Sequence, residues 1–127
     1  MDAKLFKNLY SISSLITESR PWGSFTILDE GNRFKVKRLT VKPGQSTSLQ
    51  YHEHRSERWI VVQGVATITL GSESHVVGEN EWIHIPLKEK HLLSNNGDKV
   101  IQLIEVQFGD YLGEDDIIRL EDRYNRD

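Results

Sequence analysis

Residues 49–64 read LQYHEHRSERWIVVQG. Gln50, His52 and His54 stand at every second position, Glu57 follows three residues on, and an apolar run, Trp59 to Val62, leads to Gly64. On a strand, alternate side chains share a face. Gln50, His52 and His54 therefore point one way, and with Leu49 and Tyr51 turned to the other layer that way is the interior. Glu57 has the wrong parity for this face. A bulge or turn near Arg55-Ser56 restores it, and bulges often occur beside sites. His91, after Pro86 and the segment Lys88-Glu89-Lys90, opens a later strand that can lie beside the first. Imidazole nitrogen, amide oxygen and carboxylate together suit zinc, iron, manganese, cobalt or nickel. A single strand histidine is more often structural, but two on one face with a nearby glutamate favour a metal site over a merely polar strand.

Outward from this run the signals are those of strands. Ser24 to Leu28, Phe34 to Val41, Ser46 to Glu53, Trp59 to Val62, Val65 to Leu70, His75 to Val77, Trp82 to Ile85, His91 to Ser94 and Val100 to Phe108 are apolar-rich or alternating, and turn residues such as Pro43-Gly44 and Asn95-Asn96-Gly97-Asp98 separate them. Roughly nine short strands at this spacing predict an all-β sandwich or barrel. Residues 1–19 are amphipathic and predict a helix or an arm packing on a neighbour. Arg20-Pro21-Trp22-Gly23 breaks any helix, because proline fixes its own φ and pushes the preceding residue extended. The charged tail, Gly113 to Asp127, has room for one strand or a helical turn.

The chain has 127 residues and a net charge of −3, which suits one domain with a real core. The balance argues against a broad nucleic-acid footprint, which needs a basic excess. No cysteine is present, so disulfides and thiolate zinc sites are excluded, and the expected compartment is the cytoplasm. No signal peptide or membrane-spanning run is read.

Laid from Gly44, the residues Gln50, His52, Glu57 and Gly64 fall at the spacing of the first motif of the cupin superfamily, with Gln50 where its first histidine stands. Pro86, His91 and Asn95 fit the second motif, in which Asn80 and Lys88 replace two glycines. Further stretches run in order from end to end: Arg20-Pro21-Trp22-Gly23, Phe34 to Arg38, Val41 to Gly44, Ser48-Leu49-Gln50, His54-Arg55, Trp59 to Val62 and Tyr111 to Ile117. Over residues 20–126 the chain resembles the cupin domain of type II mannose-6-phosphate isomerases. Glu53 stands where that family often has a third histidine, and Asn125 where it often has glycine.

The resemblance implies a cupin barrel, that is a double-stranded β-helix or jelly roll, over residues 20–127, with a short N-terminal arm or helix (1–19) and a charged tail. It implies one divalent metal ion, zinc ahead of manganese, cobalt, nickel, iron or magnesium, held by Gln50, His52, Glu57 and His91, with His54 as the alternative to Gln50. It implies interconversion of mannose 6-phosphate and fructose 6-phosphate through a cis-enediolate, feeding GDP-mannose and polysaccharide synthesis. In that family the domain often follows a guanylyltransferase domain, and guanylyl transfer is not expected of this chain. His54 and Lys37 are the catalytic candidates, His54 being the base if Gln50 binds the metal. Arg20, Arg55 and Lys90, with Lys37 and Lys88, are the candidates for the phosphate, which needs cationic donors. Any one of these cations is more often a solvated surface charge. Trp22, Trp59 and Trp82 have faces that suit a sugar, but at least two are read as core packing, since Trp59 and Trp82 sit in apolar strands; His75 and His84 are read as structural or exposed. The competing readings are a non-catalytic sugar-binding cupin, or another cupin enzyme such as a nucleotide-sugar epimerase or a dioxygenase. The expected partners are a small sugar phosphate and a second copy of the chain, the homodimer pairing through the N-terminal arm or Val100–Phe108, with neither nucleic acid nor membrane.

Overall fold

A computed structural model of the protein describes residues 15–121. Among them are eleven strands and no helix. They are β1 (Thr17–Arg20), β2 (Gly23–Glu30), β3 (Phe34–Val41), β4 (Leu49–Tyr51), β5 (Arg55–Gln63), β6 (Ala66–Leu70), β7 (Glu73–Val77), β8 (Trp82–Ile85), β9 (His91–Ser94), β10 (Ile101–Gly109) and β11 (Ile118–Glu121). A six-stranded sheet runs β1-β2-β3-β10-β5-β8 and a five-stranded sheet runs β11-β4-β9-β6-β7. All the pairings are antiparallel.

The alternation seen in the sequence becomes two faces of each sheet, and the inward face changes character along its length. β3 pairs with β10 so that Val41 meets Ile101, Leu39 meets Leu103, Lys37 meets Glu105 and Lys35 meets Gln107. On the other side of β10, Leu103 meets Val61, Glu105 meets Trp59 and Gln107 meets Glu57. All these residues are buried. One end of the sandwich is thus an apolar floor, completed from the facing sheet by Ala66, Ile68 and Leu93. The other end is a polar mouth of lysine, glutamate, glutamine and arginine. Burying about a hundred square ångströms of each floor side chain stabilises the fold by roughly 25 cal/mol per Å², so the floor supplies the stability on which the mouth depends.

Two glycine turns close the floor end, just beyond Val41 of β3 and Gln63 of β5. Gly44 and Gly64 have φ of 76° and 84°, a region that costs other residues about 1–2 kcal/mol. The Gly44 amide donates to the Asn95 carbonyl at 2.8 Å, and the Asn95 side-chain amide donates to the carbonyls of Val41 and Lys99. Asn80 and Lys88, standing in place of two motif glycines, keep the glycine conformation, with φ of 70° and 66°. The substitutions changed the side chains and left the turns. Asparagine tolerates this conformation through local hydrogen bonding; Lys88 is held there by its amide, which donates to the His52 carbonyl at 2.9 Å.

Several expectations are corrected. The strands number eleven among the described residues and not nine: the segment up to Arg20 adds one that was not expected, and the charged tail supplies the one strand it had room for. Thr17–Arg20 pairs with β2, and Ile118–Glu121 pairs with β4. The rest of the expected N-terminal arm, residues 1–14, lies outside the described residues, as does 122–127. The strand read across Ser46 to Glu53 stops at Tyr51, and the chain bends at Glu53-His54 before β5 begins at Arg55. β10 lies between β3 and β5, so Val100–Phe108 has no free edge for pairing with a second copy.

Candidate metal centre

His52, Glu57 and His91 converge in the mouth from β5, β9 and the bend between β4 and β5. Their candidate ligand atoms lie within 4.8 Å of one another, and all three residues are buried. The bend does what a bulge near Arg55 was expected to do, because it brings Glu57 to the same face as His52. Gln50 pairs directly with His91 across β4 and β9 and lines the same opening.

The hydrogen bonds decide which nitrogen each imidazole presents. His52 Nδ1 lies 2.7 Å from the Asp116 carbonyl oxygen, and His91 Nδ1 lies 2.9 Å from that of Glu89. A carbonyl only accepts, so each Nδ1 carries the proton and donates it. Each Nε2 then carries the lone pair, the arrangement by which backbone carbonyls orient metal-binding histidines; that of His52 lies 3.4 Å from Arg55 Nη2, which can donate to it. Burial, with the charges of Arg55 and His91 adding to it, pushes His52 down to about 4. Burial likewise lowers His91. Both rings are therefore neutral and ready to donate at neutral pH. His91 Nε2 is buried with no hydrogen-bond partner. An orphaned lone pair in a buried site is costly unless something fills it, and a cation does so.

Glu57 is held from two sides. Trp59 Nε1 donates to its Oε1 at 2.9 Å and Arg55 Nε to its Oε2 at 2.7 Å; that same Oε2 is 3.2 Å from His52 Nε2. Burial pushes the Glu57 carboxyl up, but a hydrogen bond with Glu105 and the Arg55 charge outweigh it, so it sits below the usual range. The proton the pair retains goes to Glu105, pushed up to about 8 by burial and by the neighbouring Glu57. Gln107 Nε2 donates to Glu105 Oε2 at 3.2 Å. The mouth thus offers one carboxylate, two neutral imidazoles and an amide, a donor set that fits a divalent cation.

The other expected residues divide. Lys37, Arg20 and Arg55 line the same opening, which contains about 730 Å³ out to its open rim. Lys90 is exposed and does not line it. His54 is also exposed, turned out by the bend so that its ring meets the edge of Tyr111 with centroids 5.8 Å apart. The shared face assumed for Gln50, His52 and His54 ends at Tyr51, which removes His54 both as a ligand and as a base inside the mouth. Of the tryptophans, Trp22 and Trp59 are buried and line the opening. Trp82, expected in the core, is 59% exposed and lies beneath the Arg58 guanidinium. His84 is exposed and His75 half-buried, as expected.

Four contributors were not anticipated: Glu105, Lys35, Glu114 and Asp116. Glu105 was detectable, since it shares parity with Ile101 and Leu103 in an otherwise apolar strand. Asp116 was not, because its roles depend on a loop crossing far from His52 in sequence. Its carboxylate accepts from the amides of Glu53 and His54 at 2.9 and 3.0 Å while its carbonyl holds His52.

The comparisons with known proteins agree with this architecture. At the level of the fold, the chain aligns with CapF, a capsular polysaccharide assembling protein from Staphylococcus aureus, with a TM-score of 0.72 at 23% identity, over 84% of this chain and 34% of that one. It aligns with oxalate decarboxylase from Lactobacillus farciminis with a TM-score of 0.75 at 19% identity, over 85% of this chain and 34% of that one. Likeness at such identity concerns the fold, an all-β cupin. In sequence, the chain is 52% identical to the mannose-1-phosphate guanylyltransferase ManC of Salmonella typhimurium over 84% of its length and 22% of the relative's. It is 55% identical to the xanthan biosynthesis protein XanB of Xanthomonas campestris over 84% of its length and 23% of that relative's. The alginate biosynthesis protein AlgA of Pseudomonas aeruginosa matches at 52% over 84% of this chain and 22% of its own.

The chain thus spans under a quarter of the relatives it matches. This overturns one expectation. An isomerase of mannose 6-phosphate and fructose 6-phosphate, with guanylyl transfer set aside, is not what the relatives are named for. The stretch forms part of longer proteins, one named for guanylyl transfer itself and others for polysaccharide biosynthesis. The family described as mannose-6-phosphate isomerase C-terminal matches residues 10–122, and the chain belongs to that family.

Proposed function

We propose that this chain is the metal-centred sugar-phosphate module of an enzyme of the mannose-1-phosphate guanylyltransferase kind, contributing aldose–ketose isomerase chemistry beside guanylyl transfer. The observation that carries the reading is the convergence of His52, Glu57 and His91, both imidazoles presenting an Nε2 lone pair, in a buried mouth lined by Arg20, Lys37 and Arg55. Family membership and the polysaccharide-biosynthesis relatives support it.

His52, Glu57, His91 and Gln50 would hold the metal. A divalent ion with open positions polarises a carbonyl and stabilises the negative charge that develops when a neighbouring carbon loses its proton. The protein's own residues do the rest. Asp116 and Glu89 orient the two imidazoles through their carbonyls. Arg55 and Trp59 fix the Glu57 carboxylate. Lys37, bonded to Glu114 and lying 4.2 Å over the Phe25 ring, is suited to hold negative charge. On this reading Lys37 binds anions and does not move protons. Proton transfer between adjacent carbons needs a titratable group inside the mouth. With His54 outside, Glu105 is the buried carboxyl that lines the opening, and it would accept a proton in its ionised form, which a cation bound beside it would favour.

A coupled assay of the purified chain with mannose 6-phosphate, with and without zinc, manganese, cobalt or magnesium, tests the reading. Metal-dependent turnover that drops at least about 100-fold in Glu105→Gln is expected. Folded protein that binds metal yet turns over nothing with any of them contradicts it.

A further inference from the structure

Beyond β10 the chain crosses the mouth as a strap, residues 110–117, before entering β11. It closes on itself in a tight turn: the Asp116 amide donates to the Gly113 carbonyl at 3.1 Å, and the Tyr111 hydroxyl donates to Asp115. The strap reaches into the barrel at two points. Asp116 holds His52 and the bend after it. At the other point, Lys35 Nζ donates to Glu114 Oε2 at 2.9 Å and to the Leu112 carbonyl at 2.5 Å, while Lys37 Nζ donates to Glu114 Oε1 at 2.5 Å.

This cluster has an unusual charge balance. The two lysine side chains are 7% exposed, and the carboxylate between them is 45% exposed. The bases belong to the rigid interior face of β3 and the acid to a loop on the solvent side. Their ladder partners on β10 are Gln107, which is uncharged, and Glu105, but the carboxylate that both ammoniums bond is that of Glu114. Two buried ammoniums thus share one carboxylate, supplied from the solvent side. A buried cation without a partner is strongly unfavourable, so the pair requires an anion at this point. Two ammoniums spaced to take both oxygens of one carboxylate also suit two oxygens of a phosphoryl group, whose dianion matches their charge.

We propose that Lys35 and Lys37 form a phosphoryl-binding subsite and that Glu114 is its resident anion, occupying it until a phosphoryl group takes its place. The subsite deepens the sugar-phosphate reading above and rests on it for the identity of the ligand; anion binding itself does not. Because Glu114 and Asp116 lie on one strap, displacing the carboxylate also disturbs the segment that orients His52. The strap links the two ends of the mouth.

Inorganic phosphate is the probe, titrated calorimetrically into the chain without metal, so that the outcome is independent of isomerisation. Glu114→Gln is expected to bind phosphate at least about tenfold more tightly than the wild type, because the competing charge is gone while an acceptor for the lysines remains. Lys35→Met in the Glu114→Gln background is expected to abolish that gain. Equal affinity in wild type and Glu114→Gln, or a gain that survives Lys35→Met, overturns the proposal. Should Glu114→Gln fail to fold, the wild type provides the second measurement. Phosphate is then expected to shift the backbone amide resonances of residues 112–116, and an unmoved strap at saturating phosphate overturns the proposal. Failure of the isomerase assay with these phosphate results intact would instead contradict the reading of the function and leave the subsite standing.

Discussion

The floor and the mouth of this barrel are built from the same strands, on the same face, a few residues apart. β3 goes from Val41 and Leu39 to Lys37 and Lys35, β10 from Ile101 and Leu103 to Glu105 and Gln107, and β5 from Val61 and Trp59 to Glu57 and Arg55. The backbone ladders do not distinguish the two ends. The side chains do, and they ask opposite things of burial. In the floor, burial is itself the stabilising event. In the mouth, burial costs free energy, and each group is tolerated because another answers it: Glu57 by Arg55 and Trp59, Lys37 by Glu114, His52 by the Asp116 carbonyl. His91 Nε2 has no such answer, which marks the place left for a ligand. The barrel devotes stability gained at one end to holding unfavourable chemistry at the other.

The contrast predicts separable effects. Leu103, fully buried in the floor, should cost about 2–5 kcal/mol of unfolding free energy when replaced by alanine. Denaturant melts would show this, with metal stoichiometry per folded molecule unchanged. A matching loss of metal binding would mean that floor and mouth are not separable. His91→Ala should do the reverse. Metal affinity, followed by competition with a chromophoric chelator, should fall at least about 100-fold, with little loss of stability because the removed ring leaves no charge behind. Strong destabilisation of the metal-free protein by His91→Ala would assign that residue to the core.

The titrating groups sharpen the same line. Glu105 sits in the folded protein at about 8, raised from its ordinary value of 4.5. Its stabilising share is complete below the unfolded value and is lost as pH rises through the folded one. His52 is depressed from 6.5 to about 4 and His91 is also lowered. Their share is present above about 6.5 and lost as pH falls toward 4. Between pH 6.5 and 8 only the carboxyl acts, so the metal-free protein should lose stability across that window. The slope should not exceed about 1.4 kcal/mol per pH unit for one proton. Glu105→Gln, which mimics the protonated carboxyl, should flatten that slope. A slope unchanged in the variant would place the titrating proton elsewhere.

The smallest effect is expected at the edge of the mouth. Lys88, at a φ of 66°, should gain about 1 kcal/mol on replacement by glycine. A loss instead would show that its side chain, not its turn, is what matters there.

Most of the fold could be read from residue order, because period-two alternation and turn residues are local. The inward rows of β3, β5 and β10 are visible in the sequence. So is the ligand spacing from Gly44 through His52 and Glu57 to Gly64. What misled was the continuation of that alternation through His54. Parity holds only while a strand lasts, and the bend at Glu53-His54 is set by Asp116, whose carboxylate caps both amides from across the chain. Trp82 misled for a related reason. An apolar strand at the edge of a sheet shows one face to solvent, and nothing local says that β8 is an edge. The strap that supplies Glu114 and Asp116 is invisible to pattern reading, since its charges look like those of any solvated tail until the fold lays them across the barrel.

If His52, Glu57 and His91 hold a divalent metal in the mouth while His54 does not, anomalous diffraction from crystals soaked in zinc or manganese should show a single interior peak about 2.0–2.3 Å from His52 Nε2, His91 Nε2 and a Glu57 oxygen. A peak bound by His54, or an empty mouth in crystals whose surface sites are occupied, would contradict that assignment.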